Sequence, residues 1–178
     1  NALKKSDFDR NGNFFLERYI TAHSIMVSFE GVPAIYFNSL FGTSNDEAKY
    51  IITGNKRDIN RYRWNKHNLL YKLKNKKSKQ SIFFMEITKL LAIKNKQKAF
   101  HPNAKREQLD LGSKLFGFKR ISIDNKQIII CISNLTSVKQ NLKIGKKFTN
   151  WKDLIESSRL LLRGVELELR PFQTVWLT

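Results

Sequence analysis

Residues Gly31 to Asp46 read G-V-P-A-I-Y-F-N-S-L-F-G-T-S-N-D, and this stretch decides the fold. Val32, Ala34, Ile35, Tyr36 and Phe37 make a nearly unbroken apolar run, the pattern of a strand buried on both faces. Such strands sit inside α/β sheets, and Pro33 is tolerable near a strand start. The run then breaks into Asn38, Ser39, Gly42, Thr43, Ser44, Asn45 and Asp46. The C-terminal end of the strand therefore opens into a polar loop, the place where α/β folds bind their ligands.

Upstream, the apolar positions from Phe14 to Phe29 recur at three- and four-residue steps and predict a helix packed on the sheet, ended by Glu30-Gly31. His23 on that helix reads as a hydrogen-bonded core histidine. Downstream, residues 38–79 show no long periodic segment and predict a long functional loop. Its informative part is N-K-R-D-I-N-R-Y-R-W, Asn55 to Trp64. Ile82, Phe83, Met85, Ile87, Leu90, Leu91 and Ile93 then mark a second helix over residues 81–98, with lysines toward its C-terminal end where the dipole favours cations. The turn F-H-P-N-A closes that helix.

At this turn period 3.6 gives way to period 2. The expected division is 1–101, an α/β part, and 102–178, an antiparallel β-domain. Short β-like runs follow at 108–111, 115–123, 127–134, 139–144, 160–169 and 174–177, separated by Gly112-Ser113, Asp124-Asn125, Asn134 and Gly145. That spacing argues for an antiparallel sandwich or Greek-key sheet. Trp151, Leu154, Phe172, Val175 and Trp176 read as packing residues of it.

The G-V-P-A-I-Y-F-N-S-L-F-G segment with R-D-I-N-R (Arg57 to Arg61) behind it closely resembles the eighth strand and following loop of the sucrose phosphorylase group of glycoside hydrolase family 13. That group includes the sucrose-6-phosphate and glucosylglycerate phosphorylases. H-P-N-A (His101 to Ala104), W-K-D-L (Trp151 to Leu154) and P-F-Q-T-V-W-L (Pro171 to Leu177) resemble parts of its C-terminal region. The resemblance implies the end of a (β/α)8 barrel, as helix, strand, long loop and helix, followed by a β-sandwich domain.

A carbohydrate site needs donors in fixed directions and flat apolar faces, which Arg57, Asn60, Arg61, Tyr62 and Trp64 can supply. The resemblance assigns Arg57 to the glucosyl subsite, where the corresponding arginine pairs with an active-site carboxylate and touches the sugar. Asn60, Arg61, Asn45 and Asp46 join it as substrate-binding candidates. The structural alternative is an ordinary loop salt bridge between Arg57 and Asp58.

Retaining glycosyl transfer needs two carboxyl groups about 5 Å apart. In a barrel these stand at the ends of several strands, and this chain offers one strand, followed by Asn38. By the resemblance, the catalytic carboxylates lie on earlier strands, so no catalytic residue is assigned here. The implied activity is phosphorolysis of an α-glucoside (sucrose, sucrose 6-phosphate or glucosylglycerate) to α-glucose 1-phosphate through a covalent glucosyl enzyme. The chain alone is expected to be inactive, a fragment of a glycosyltransferase. Its G-V-P-A-I-Y-F-N-S-L-F-G form leans toward the phosphorylated-sucrose or glucosylglycerate members.

Composition bounds the rest. The 178 residues carry 33 Lys and Arg against 15 Asp and Glu, a formal charge of +18, which raises the alternative of a basic polyanion-binding module or a non-catalytic remnant. No helix-turn-helix, RNP or zinc-finger pattern accompanies the charge, so a solvated basic surface without specific nucleic-acid function is expected. D-F-D-R-N-G-N-F-F-L-E-R (Asp7 to Arg18) nearly matches a calcium loop but puts arginine at its twelfth position, where the bidentate acid belongs. His23, His67 and His101 are too scattered for a metal motif. No cofactor or metal is expected. No apolar run approaches the roughly 20 residues that cross a bilayer, and the N-terminus lacks a signal-peptide pattern, so a cytoplasmic location is expected. Sugar and inorganic phosphate are the expected partners, and the oligomeric state stays open. The single Cys131, in I-I-I-C-I-S, reads as a small core hydrophobe.

Overall fold

Periodicity of 3.6 does produce helices where it was read. The computed structural model describes residues 12–144, 151–156, 162–163 and 166–178. Helix α1 spans Phe15–Ser28, α2 Glu47–Thr53, α3 Lys66–Lys74 and α4 Lys79–Asn95. Seven strands follow: β1 Lys105–Leu109, β2 Leu115–Ile121, β3 Ile128–Asn134, β4 Gln140–Lys143, β5 Leu162–Arg163, β6 Glu166–Leu169 and β7 Thr174–Leu177. Two compact units result, one of residues 34–89 and one of residues up to 33 together with 90–178.

In the larger unit, β1, β2, β3 and β7 form one antiparallel sheet in the order β1-β2-β3-β7, and β4, β6 and β5 form a second in the order β4-β6-β5. One face of the first sheet contributes Leu115, Ile132, Val175 and Leu177 to a core cluster shared with Leu167 and Leu169 of β6, against which Trp151 packs. The alternate residues point the other way: Phe118, Arg120, Ile129, Cys131 and Trp176 are buried, and α1 packs against β3 and β7. With both faces covered, β3 and β7 read as continuous apolar runs instead of alternating ones.

The buried side of α1 is Arg18, Thr21, Ser24, Val27 and Ser28, and the four after Arg18 are small enough to let the helix approach the sheet. Ser24 and Ser28 satisfy their hydroxyls on the Ile20 and Ser24 carbonyl oxygens at 2.7 and 2.6 Å, and Thr21 donates to the Phe172 carbonyl oxygen. His23 is half-buried and hydrogen-bonded within its own helix. Its Nδ1–H donates to the Tyr19 carbonyl oxygen at 2.8 Å, its ring stacks on Tyr19 at 4.2 Å, and burial pulls its pKa below the ordinary value. Cys131 is buried, and burial raises its thiol pKa.

Asp153 and Asn134 tie the loops of this unit down. The buried Asp153 carboxylate accepts from the backbone N–H groups of Ile155 (3.0 Å), Glu156 (3.2 Å) and Trp176 (2.9 Å), fastening the W-K-D-L turn to β7. Asn134 donates to the Val138 and Arg170 carbonyl oxygens at 2.7 and 2.9 Å and accepts from the Thr136 N–H at 2.9 Å.

Three expectations are corrected. Residues 32–36 are extended but form no ladder, and the apolar side chains expected inside a sheet are open: Val32 is 83% exposed, Tyr36 and Phe37 54% each. A strand needs neighbours for its N–H and C=O groups, and no strand among the described residues lies beside it. No closed barrel forms among the described residues, and none was expected of a chain with one barrel strand. Residues 38–79 are not a long loop, because α2, α3 and two 3₁₀ turns occupy much of them. The 160–169 run is two strands, β5 and β6, among its described residues, and the first strand begins at Lys105, ahead of the 108–111 run. The Asp7, Asp9 and Asn11 positions of the calcium-like loop lie outside the described residues, as does Gly145.

Candidate functional site

The smaller unit holds every sequence-predicted site residue. Its order comes from caps the apolar pattern does not register. Phe37–Phe41 makes a 3₁₀ turn ended by Gly42 in the left-handed region at φ 56°. A Cβ there would lie 2.4 Å from the Phe83 ring, so glycine is required both by conformation and by space. Asp46 caps α2, its Oδ1 accepting from the Lys49 N–H at 3.1 Å, and Gly54 ends that helix at φ 64°. Asn55 caps the Lys56–Asn60 3₁₀ turn by accepting from the Arg57 N–H at 3.0 Å, and Asn65 caps α3.

These caps bring the two halves of the predicted site together. The Asp46 N–H donates to the Ile59 carbonyl oxygen at 2.7 Å, and Lys49 Nζ pairs with Asp58 at 3.1 Å, so α2 and the 57–60 turn pack side by side. Asn45 and Asp46 therefore stand next to the segment carrying Arg57, Asn60 and Arg61. Asp58 is spoken for by Lys49, which also holds its carboxyl below the usual carboxylate range. This removes the Arg57–Asp58 salt bridge as the reason for the R-D pair. Arg57, Asn60 and Arg61 are exposed, and among the described residues the Arg57 and Asn60 side chains have no hydrogen-bond or ionic partner. Asp46, by contrast, has a structural duty as a cap.

The geometry adds Asn38 and Lys79, which sequence reading passed over, and gives Tyr62 and Trp64 their partners. Asn38, buried at the end of the extended segment, donates through Nδ2 to the Tyr62 carbonyl oxygen at 2.9 Å, fixing the backbone just beyond Arg61. Trp64 Nε1–H donates to Thr43 Oγ1 at 3.0 Å, and Tyr62 packs edge-on against Trp64 with centroids 4.9 Å apart. Lys79 Nζ reaches Ser44 Oγ at 3.4 Å, beside Asn45. The signal for Asn38 was its place at the end of an apolar run. Nothing local distinguishes Lys79 among so many lysines. Among the described residues no three His, Cys, Asp or Glu side chains could jointly hold a metal ion, and no helix is long and apolar enough to cross a membrane.

No family profile matches the chain. Two curated relatives are glucosylglycerate phosphorylases. That of Escherichia coli K12 is 29% identical over 161 residues, 90% of this chain and 28% of the relative. That of Allomeiothermus silvanus is 27% identical over 183 residues, covering 99% and 29%. The chain thus spans less than a third of the length of the curated relatives it matches. Among solved structures, the trehalulose synthase MutB from Pseudomonas mesoacidophila MX-45 shares the fold with a TM-score of 0.63 at 12% identity, over 90% of this chain and 38% of that one.

Proposed function

We propose, from the premise that this chain corresponds to a C-terminal portion of the sucrose phosphorylase-like enzymes of glycoside hydrolase family 13, that it builds one wall of the sugar pocket of an α-glucoside phosphorylase. The observation that carries the reading is the exposed Arg57 guanidinium and Asn60 amide, held without side-chain partners on a turn that is itself fixed by Asn55, Asp46 and Lys49. A rigid turn that presents unspent donors suits a ligand rich in hydroxyls. In this reading residues 1–101 complete a (β/α)8 barrel, the open segment 32–36 becomes its eighth strand, and 102–178 form a β-sandwich domain that follows it in the chain.

Within such a pocket, Arg57 makes charge-assisted hydrogen bonds to the glucosyl unit and to an active-site carboxylate, with Asn60, Arg61 and Asn45 as further donors. Asp46 acts through the turn it caps. The bond-making groups are a nucleophilic carboxylate and an acid/base carboxyl supplied by earlier strands, and phosphate takes the glucosyl group from the covalent intermediate with net retention. The relatives' names favour glucosylglycerate over sucrose and sucrose 6-phosphate. The 178 residues alone lack the carboxylate pair and are inactive, and the site of action is the cytoplasm. The full-length protein from the gene, incubated with phosphate and each of the three glucosides, should release α-glucose 1-phosphate from one of them. Release of glucose alone, or of nothing, would overturn the proposal.

A further inference from the structure

Positive charge is denser in the unit that carries the candidate site, 12 Lys and Arg against 4 Asp and Glu over residues 34–89, than in the other, 21 against 11 over residues 2–33 and 90–178. Between Ile59 and Met85 there are eight Lys and Arg residues and no Asp or Glu. Lys66, Lys72, Lys74, Lys76 and Lys77, on α3 and the turn after it, are exposed, and among the described residues none of them is in an ion pair. In the larger unit several basic residues are paired with acids. Arg106 is answered by Glu30, Lys105 and Lys119 by Glu107, Lys98 by Asp124 and Lys139 by Glu168. The one carboxylate at the near end of the stretch, Asp58, is already paired with Lys49.

A basic stretch without acids of its own sets up a positive potential over its surface, and within a Debye length, about 8 Å at physiological salt, that potential raises the local concentration of anions. Arg61 lies inside the run and Lys79 reaches Ser44 beside Asn45, so the run begins and ends at the candidate site. The geometry points to α3 and its following turn as an anion-gathering surface that feeds inorganic phosphate, and an acidic leaving group where the glucoside has one, to the pocket. The inference rests on the phosphorylase reading and deepens it, by assigning to lysines outside the pocket a part in the capture of its charged substrate. Because the effect is one of local concentration, it acts on KM for phosphate and leaves kcat unchanged.

The test is a full-length protein carrying Lys72→Gln, Lys74→Gln, Lys76→Gln and Lys77→Gln together, all exposed positions away from the candidate sugar contacts. At about 10 mM ionic strength its KM for phosphate should rise roughly three- to tenfold with kcat unchanged, and the difference should vanish near 0.5 M sodium chloride as screening takes over. Slow hydrolysis of the glucosyl enzyme by water, an uncharged acceptor, should be the same in both proteins. Phosphorolysis with the same KM for phosphate in both proteins at every salt concentration would overturn this inference alone. A difference that persists at 0.5 M salt, or a matching loss of hydrolysis, would also overturn it, since both would mean disturbed structure. Absence of phosphorolysis from the unsubstituted protein would overturn the phosphorylase reading and this inference with it.

Discussion

Arg120 Nη1 donates to the carbonyl oxygen of Ser28 at 2.7 Å, joining residues ninety-two apart in the chain. The same guanidinium donates through Nη2 to the His101 and Ala104 carbonyl oxygens at 2.7 and 3.2 Å. A fully buried arginine thus holds the last turn of α1, the H-P-N-A turn and β2 together. Among the described residues no carboxylate bonds it directly. Glu30 favours its charge from a distance, while burial pulls its pKa down. Lys94, buried nearby and donating to the Phe100 carbonyl oxygen at 3.3 Å, is shifted down for the same reason and by the Arg120 charge.

Replacing Arg120 by Met should cost about 3 to 5 kcal/mol, because three buried carbonyl oxygens lose a charged donor and the methionine fills only part of the space. Arg120→Lys should recover less than half of that, since an ammonium cannot reach both sides of the fork. Urea unfolding followed by circular dichroism checks both.

Asp153→Ala should cost about 2 to 4 kcal/mol, as three backbone N–H groups lose their acceptor at once. Asp153→Asn should be milder. Burial already raises the Asp153 pKa and so favours a neutral form, and the amide oxygen keeps the two bonds made by Oδ1. Thermal melts of the three proteins give the order.

Stability should fall with acid in a defined window. Hydrogen bonds from Lys105 and then Lys119 hold Glu107 down to about 2 from an ordinary 4.5, and Glu30 and Asp124 are lowered as well. A carboxylate depressed in the folded state supports the fold above its ordinary value and loses that support as pH falls toward its folded one. Asp153, shifted the other way, works against the fold as pH rises through its raised value. The melting temperature should therefore drop between about pH 4.5 and 2, less steeply in Glu107→Gln. These pairs are exposed, so 0.5 M salt should flatten the slope.

How far the sequence could be read follows from what each element depends on. α1, α4 and the strands β2, β3 and β7 have apolar periods long enough to stand out, and the observed elements fall where the pattern put them. α2 and α3 are seven and nine residues long and are made by Asp46, Gly54 and Asn65, so a search for periodicity sees only a polar loop. The segment 32–36 forms no ladder for another reason. Its composition describes the environment of a strand with two neighbours, and composition cannot say whether those neighbours lie within the same 178 residues. In the site, the R-D-I-N-R motif was legible as donors, but the Lys49–Asp58 pair that frees Arg57 needed coordinates.

The isolated 178-residue chain should associate. Val32, Tyr36 and Phe37 are open beside an extended backbone, and Ile51 and Ile52 of α2 are 79% and 84% exposed. Its light scattering should rise with concentration, and Val32→Lys with Ile52→Lys should suppress the rise. A concentration-independent monomer mass for the unsubstituted chain would go against this expectation.

The most direct test of the central claim is the kcat/KM of Arg57→Ala in the full-length protein, measured as α-glucose 1-phosphate released from its preferred glucoside. Loss of two desolvated charge-assisted bonds, each about 1.5 to 3 kcal/mol, predicts a fall of about 100-fold or more with the melting temperature unchanged, since the exposed guanidinium has no partner among the described residues. A value within twofold of the unsubstituted enzyme would contradict the account and take the 57–61 turn out of the sugar pocket.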